Sequence, residues 1–432
     1  MLRYIAFAMV LVSLTGAVNE QGAPTDHWTL ARVINHGLQH APRIQAVNER
    51  LKAASLRSSG SEAAYLPSLD FGASHGVARA LPSDGESPYR SNFNLTLSQK
   101  IYDNGETGLN LDVSRIGHDR ATLAALQARE QFVLDVASAF YHLCSVRLSL
   151  TVSGAKLKSV EKQRRALKQQ VEQGFKTPRD LVRLDALQQR AQTSIIDAEA
   201  AVKKAVADLV RLSGIDGPVT AESFALISPA ATEPVFPALP SWEQTFEARL
   251  AKFDDHQADK EIELLRRKNG PEVYVTAQGG YGASDYMGTG EPIYDRDAAS
   301  LSAMVELKYN LWDGGRKSRD LGAALADKAA DAATRRDTLA QLKANLDTLG
   351  IDRDRKLAAL KSARLLMTME RQSYKDLETA YREGKTTYLD LVTALDSVTQ
   401  AELSHDAAYF ALLELSAKFR YYEGTTYETL AR

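Results

Sequence analysis

Two acids in this chain share one local setting. Thr177-Pro178-Arg179-Asp180 and Thr387-Tyr388-Leu389-Asp390 each place an aspartate three residues after a threonine, and each follows a glycine, Gly174 or Gly384. At that spacing the hydroxyl can accept the N–H of the third helical residue while the acid accepts that of the cap. This is a capping box with Asp in place of Glu or Gln, and capping is the main role expected of Asp180. Other reactive chemistry is sparse. The histidines (His27, His36, His40, His75, His118, His142, His256 and His405) are scattered, and none sits in a spacing such as HExxH. No phosphate-binding glycine loop or CxxC is present. The lone cysteine, Cys144, lies on an apolar helix face and reads as a packed thiol. No catalytic residue, metal site or cofactor is assigned, and an enzyme is not expected. With 53 basic and 55 acidic side chains interspersed along helix faces, the net charge of −2 does not point to nucleic acid.

The elements that carry these acids occur twice. Tyr102-Asp103-Asn104-Gly105 returns as Trp312-Asp313-Gly314-Gly315, Asp180-Leu181 as Asp390-Leu391, and Gly214 as Gly424, all 210 residues on. Leu66-Pro67 matches Gly270-Pro271 at a slightly shorter offset. Two equivalent halves follow, over 18–214 and 241–432, joined by a Pro/Ala/Ser-rich linker at 215–240. A duplicated half suits a channel or scaffold better than a one-site enzyme. Residues 1–17 read as a secretory signal: Arg3, an apolar core from Ile5 to Leu14, then Thr15-Gly16-Ala17. That core is too short to span a bilayer. No later stretch is expected to be apolar enough for a transmembrane helix, so entry into a membrane would require a β-barrel.

Each half opens with a helix (26–62, capped by Asp26, and 241–268). Period-2 alternation then marks hairpins over 69–101 and 273–311. Phe93 to Ile101 and Ala303 to Leu311 are long enough to cross a membrane when tilted, with Tyr102, Tyr309 and Trp312 at strand ends. Long helices (105–173 and 315–383) and shorter ones (178–213 and 387–422) follow. A helix of nearly 70 residues is about 100 Å long, beyond an ordinary globular core. Leu184, Leu187, Ala191, Ile195, Ala198, Val202, Ala205, Leu209 and Leu212 recur near the coiled-coil period, as do Ala401, His405, Ala408, Leu412, Leu415, Phe419 and Tyr422. The long helix is less regular, with Arg147 and Gly154 interrupting its apolar row, as residues facing a water-filled lumen would. Four strands cannot close a barrel. Either the chain oligomerises to pair its sheet edges, or the sheet is water-soluble and packs on the helices; helix length and the signal segment favour the barrel.

In this order the chain resembles the TolC-like outer-membrane efflux proteins over nearly all of its mature length. The resemblance rests on Ala41-Pro42, Leu66-Pro67-Ser68-Leu69, Gln99-Lys100-Ile101-Tyr102-Asp103-Asn104-Gly105, Leu311-Trp312-Asp313-Gly314-Gly315 and Tyr381-Arg382-Glu383-Gly384. It implies a mainly α protein with membrane β: a homotrimer whose 12-stranded β-barrel contacts outer-membrane lipid and stands on a long α-helical coiled-coil tunnel in the periplasm. It also implies a passive exit duct for efflux or type I secretion, docked by a periplasmic adaptor and served indirectly by an inner-membrane transporter. The glycine breaks would be turns at the periplasmic tip, where Gly174, Phe175, Lys176 and Gly384 would meet the adaptor. The resemblance puts Asp390 in the lumen as a carboxylate ring, with Thr393 where a second ring acid is usual. It puts tip closure on Asp180, Tyr381 and Thr386, with Lys385 beside the position of a frequent basic residue; the expected bond runs from Asp180 to Tyr381 or Lys385. The rival reading is a soluble periplasmic coiled-coil adaptor or scaffold, which would carry compact β domains after its helical hairpin.

Overall fold

The computed structural model describes residues 27–77, 89–175, 177–230, 233–284 and 299–431. The signal segment, the Asp26 cap, the two hairpin loops and Lys176 lie outside the described residues. In chain order come α1 (Leu30–His40), α2 (Pro42–Glu62), β1 (Ser68–Val77), β2 (Tyr89–Tyr102), α3 (Glu106–Glu172) and α4 (Pro178–Ser213). Then follow α5 (Phe246–Arg267), β3 (Glu272–Ser284), β4 (Ala299–Lys308), α6 (Arg316–Arg382), α7 (Tyr388–Glu423) and the short α8 (Thr426–Leu430). α3 and α6 are both 67 residues long, and α4 and α7 both 36.

Four expected element bounds are corrected. The first helix starts at Leu30 rather than at 26, and its cap is Thr29, whose hydroxyl accepts from Arg32 N at 3.3 Å. The first helix is two helices, because Pro42 has no N–H to donate and holds Ala41 extended (φ −63°, ψ 130°). The helix expected from 241 starts only at Phe246: Thr245 is extended, and its hydroxyl caps the helix by accepting from Ala248 N at 3.4 Å. The last strand stops at Lys308 rather than running to Leu311. Its final rung pairs Lys308 with Glu272, and Pro271 beyond has no N–H to extend the ladder.

The four strands form one antiparallel sheet in the order β1-β2-β3-β4, so β1 and β4 are both open edges. Register sorts the side chains by face. Leu69 pairs with Leu97, Phe71 with Leu95, Leu97 with Ala277, Gly279 with Leu301 and Val275 with Val305. On the other face Asp70, Thr96, Gln278 and Ser302 form a polar row. The apolar face is uncovered, with Leu301 89% and Val305 70% exposed. Apolar outward and polar inward is the alternation of a transmembrane barrel wall.

Where each hairpin meets a long helix, an aspartate organises the turn. Asp103 Oδ1 accepts from Gly105 N (3.1 Å) and its Oδ2 from Thr107 N (2.7 Å) and the Thr107 hydroxyl. Asp313 repeats this with Gly315 N and Lys317 N, both at 2.9 Å. The chain turns through two successive left-handed residues in each case, Asn104-Gly105 (φ 56° and 82°) and Gly314-Gly315 (φ 68° and 79°), a conformation that favours Asn and Gly. Burial works to raise the Asp103 pKa, but the Thr107 and Gly105 bonds and Lys100 outweigh it and hold the carboxyl below its ordinary range.

The main core lies midway along the helices. Phe132, Val133, Val136, Phe140 and Leu143 of α3 pack with Val33 and Ile34 of α1, Leu209 of α4, Leu412 of α7 and Phe224 of the linker. α3 contains a window of mean hydropathy 1.2, long and apolar enough to cross a membrane, which corrects the expectation that no such stretch exists. Close to half of that window is buried within the fold. Arg147 is likewise no lumen residue: its Nη1 donates to Phe224 O at 2.7 Å and ties the linker to α3. Cys144 is buried beside it, and burial pushes its thiol pKa up.

Ion pairs hold α5 between the two long helices: Arg120–Asp254 and Lys260–Asp112 to α3, Arg335–Asp255 and Lys328–Asp259 to α6. α6 is otherwise largely uncovered, and Ile351, Leu365 and Met369 are more than half exposed. Asp103→Ala removes a half-buried cap and should cost about 1–2 kcal/mol, lowering the thermal midpoint in detergent. The carboxylate's contribution is fully present above the ordinary Asp pKa and is lost as pH falls through its depressed folded value.

Candidate functional site

At the end of the helices farthest from the sheet, α3 turns into α4 and α6 into α7. Both turns close in the same way. Phe175 N donates to Gln170 O (2.8 Å) and Gly174 N to Val171 O (3.0 Å); Lys385 N donates to Ala380 O (2.8 Å) and Gly384 N to Tyr381 O (3.1 Å). This is the Schellman pattern, and it needs a left-handed residue just past the helix. Gly174 (φ 80°) and Gly384 (φ 74°) supply it. Phe175 then projects outward, 76% exposed.

The two acids behave differently. Asp390 forms the complete capping box: Thr387 N (3.1 Å) and Thr387 Oγ1 (2.5 Å) both donate to its Oδ2, and Asp390 N donates back to Thr387 Oγ1 (3.3 Å). Thr386 Oγ1 adds a third bond to the same oxygen at 2.9 Å. Bonds from Thr387, then Thr386, hold the Asp390 carboxyl below the usual range. Asp180 takes only the Thr177 hydroxyl at 2.9 Å, and no side-chain cap forms on α4. The expected matching box is therefore corrected to a partial one; the position matching Thr386 is Lys176, which has no hydroxyl to offer.

The remaining tip residues are placed as follows. Thr393 is exposed and donates its hydroxyl to Leu389 O at 2.9 Å. Lys385 pairs with Glu383 at 2.7 Å. The Tyr381 hydroxyl donates to Gln170 Oε1 at 3.5 Å, and its ring meets Tyr388 edge-on at 6.3 Å. Burial, then the nearby Asp180 charge, raises the Tyr381 pKa. Within one chain, then, Asp180 bonds neither Tyr381 nor Lys385, because closer partners satisfy all three.

What does join the helices at the tip was not read from the sequence. Tyr374 contacts Gln163 (3.4 Å) one heptad above the Tyr381–Gln170 bond, and Lys162 pairs with Glu378 at 3.4 Å. These contacts link α3 directly to α6. The signal was present, since Tyr374 and Tyr381 are seven apart and so are Gln163 and Gln170. Beneath them Val160, Leu167, Leu184, Leu187, Leu395 and Val398 form a separate apolar cluster. Glu378 is held below the ordinary glutamate range, first by the Arg382 bond and, against partial burial, by Lys162.

A sheet with an apolar outer face, standing on four helices that end in two glycine turns, defines an outer-membrane channel protomer rather than an adaptor. The outer membrane efflux protein family model matches residues 33–215 and 247–417, and the chain belongs to that family. Protein CyaE of Bordetella pertussis is 23% identical over 306 residues, which is 69% of this chain. The chain spans 63% of the length of CyaE. The CmeC outer membrane channel of Campylobacter jejuni superposes with a TM-score of 0.79 at 14% identity, over 92% of this chain and 86% of CmeC. The open-state MtrE outer membrane channel of Neisseria gonorrhoeae gives 0.75 at 16% identity, over 96% and 95%. The fold is that of TolC-like channel tunnels, located in the outer membrane with the helices in the periplasm.

The Lys162–Glu378 pair contributes fully above the ordinary Glu pKa of about 4.3 and fades as pH falls through its depressed folded value. In planar bilayers, conductance should therefore rise as pH drops below about 4. Lys162→Ala combined with Tyr381→Phe should already conduct more than wild type at neutral pH. Equal conductance would remove these contacts from any closing role.

Proposed function

We propose that this chain forms a homotrimeric exit duct through the outer membrane, passive in itself, loaded by an inner-membrane transporter through a periplasmic adaptor. The observation that carries the reading is the open-edged sheet. Its apolar face is exposed, and β1 and β4 each lack a partner among the described strands. Three copies would pair β4 with the next β1 and give twelve strands, removing every edge. The exposed apolar residues of α6, Ile351, Leu365 and Met369, are suited to contacts between copies. Efflux and type I secretion use the same duct, so the reading covers both.

At the tip, Asp390 on three copies would form an acidic ring near the axis that favours cations. In one chain its bonds depress the pKa; mutual repulsion in a ring would act the other way. Asp180, Tyr381, Lys385 and Thr386 form the surrounding shell, and Gly174, Phe175, Lys176 and Gly384 the adaptor-facing turn. Phe175 is the apolar anchor of that turn. No catalytic step is proposed for any of them.

Native mass spectrometry on detergent-extracted outer membranes should give three chains per particle. A monomer or dimer in the soluble periplasmic fraction would rule the duct out. Asp390→Asn should then lower the cation selectivity read from reversal potentials; unchanged selectivity would return Asp390 to capping alone.

A further inference from the structure

We propose that His36 and His40, on the last turn of α1, bind a divalent transition-metal ion. Their rings stack with centroids 4.3 Å apart and planes 20° from parallel. His36 Nδ1 lies 3.3 Å from Ser213 O, and His40 Nδ1 lies 3.1 Å from His36 O. A carbonyl oxygen can only accept, so each Nδ1 carries a proton, and in the neutral imidazole the lone pair is left on Nε2. That is the state a metal requires: a neutral imidazole whose far N–H donates to a carbonyl, which sets tautomer and orientation together.

Side chains four apart share one helix face, so with the rings already stacked a single ion can bridge their two Nε2 atoms. Their mounting is firm. Ser213 ends α4, so a second helix orients the His36 ring. Between the two histidines, Gly37 lies so close to Phe132 of α3 that a Cβ would come within 2.7 Å of that ring. Arg32, one turn earlier on the same face, is drawn over the Trp28 ring at 4.7 Å. His40 is exposed and His36 partly so, which leaves the site open to solvent.

Among the described residues no third His, Cys, Asp or Glu completes a cluster. Water fills the remaining positions, and the ion is exchangeable rather than structural. Imidazole pairs suit Ni²⁺, Cu²⁺ and Zn²⁺, with Cu²⁺ held tightest. Such an ion would clamp the end of α1 just ahead of the break at Ala41-Pro42. Scattered as the histidines are in sequence, this pair is one helical turn apart.

The test is a Cu²⁺ titration of the full-length, tag-free protein in detergent, followed by electron paramagnetic resonance. Wild type and His142→Gln, which changes an exposed histidine elsewhere, should bind one ion per chain with two coordinated nitrogens. His36→Gln and His40→Gln should each weaken that binding by about tenfold or more, with native mass showing unchanged assembly. Unchanged affinity in either variant, loss of binding in His142→Gln, or a signal with fewer than two nitrogens would overturn the assignment.

Discussion

A four-stranded sheet that is apolar on one face and polar on the other has no stable place alone in water or in lipid. In water the face bearing Leu69, Phe71, Leu95, Leu97 and Leu301 would be uncovered; in lipid the unpaired N–H and C=O groups of β1 and β4 would each cost several kcal/mol. The architecture below the sheet is arranged around that constraint. Both hairpins descend at once into long helices, and the two Asp-organised turns set the direction of each descent. Because Asp103 and Asp313 use the same pair of backbone N–H contacts, the two halves leave the sheet in equivalent ways.

Once the helices are this long, no single core can hold them. Among the described residues three separate apolar clusters lie along the helices, with polar contacts between. The largest forms where α1, α3, α4, α7 and the linker meet, and Arg147 is spent there on the Phe224 carbonyl. Near the sheet, ion pairs position α5 alongside a small apolar cluster of Ala248 with Leu342 and Leu346 of α6. At least one member of each of these pairs is well exposed, so individually they are worth little. Their use is to set the register of α5 between α3 and α6.

At the far end the chemistry changes again. The Schellman glycines make the turns, and above them the α3–α6 contacts are tyrosine–glutamine and lysine–glutamate, worth less than buried apolar packing. Contacts of that strength suit a tip that has to open. The two halves differ here as well: Thr386-Thr387-Asp390 forms a full box, whereas Thr177 and Asp180 form half of one. Equivalent backbones thus carry inequivalent side chains, as a tunnel wall built from two unlike repeats requires.

The duplication, the helix lengths, the left-handed glycines and the strand faces were all legible in the sequence. Each depends on local periodicity or on a residue's own backbone preference, and the 210-residue offset shows up as matched helices of 67 and 36 residues. Where that reading failed locally, at Pro42, Thr245 and Pro271, backbone hydrogen-bonding decided the matter. Other features were settled only by the tertiary structure. Arg147 found a carbonyl 77 residues away, Tyr374 and Tyr381 found partners about 210 residues away, and Asp180 and Lys385 each took a partner within three residues in place of the one expected. Spacing along a chain specifies which face a side chain occupies. Which other face it meets is set by how α3 and α6, so far apart in sequence, lie beside each other at the tip.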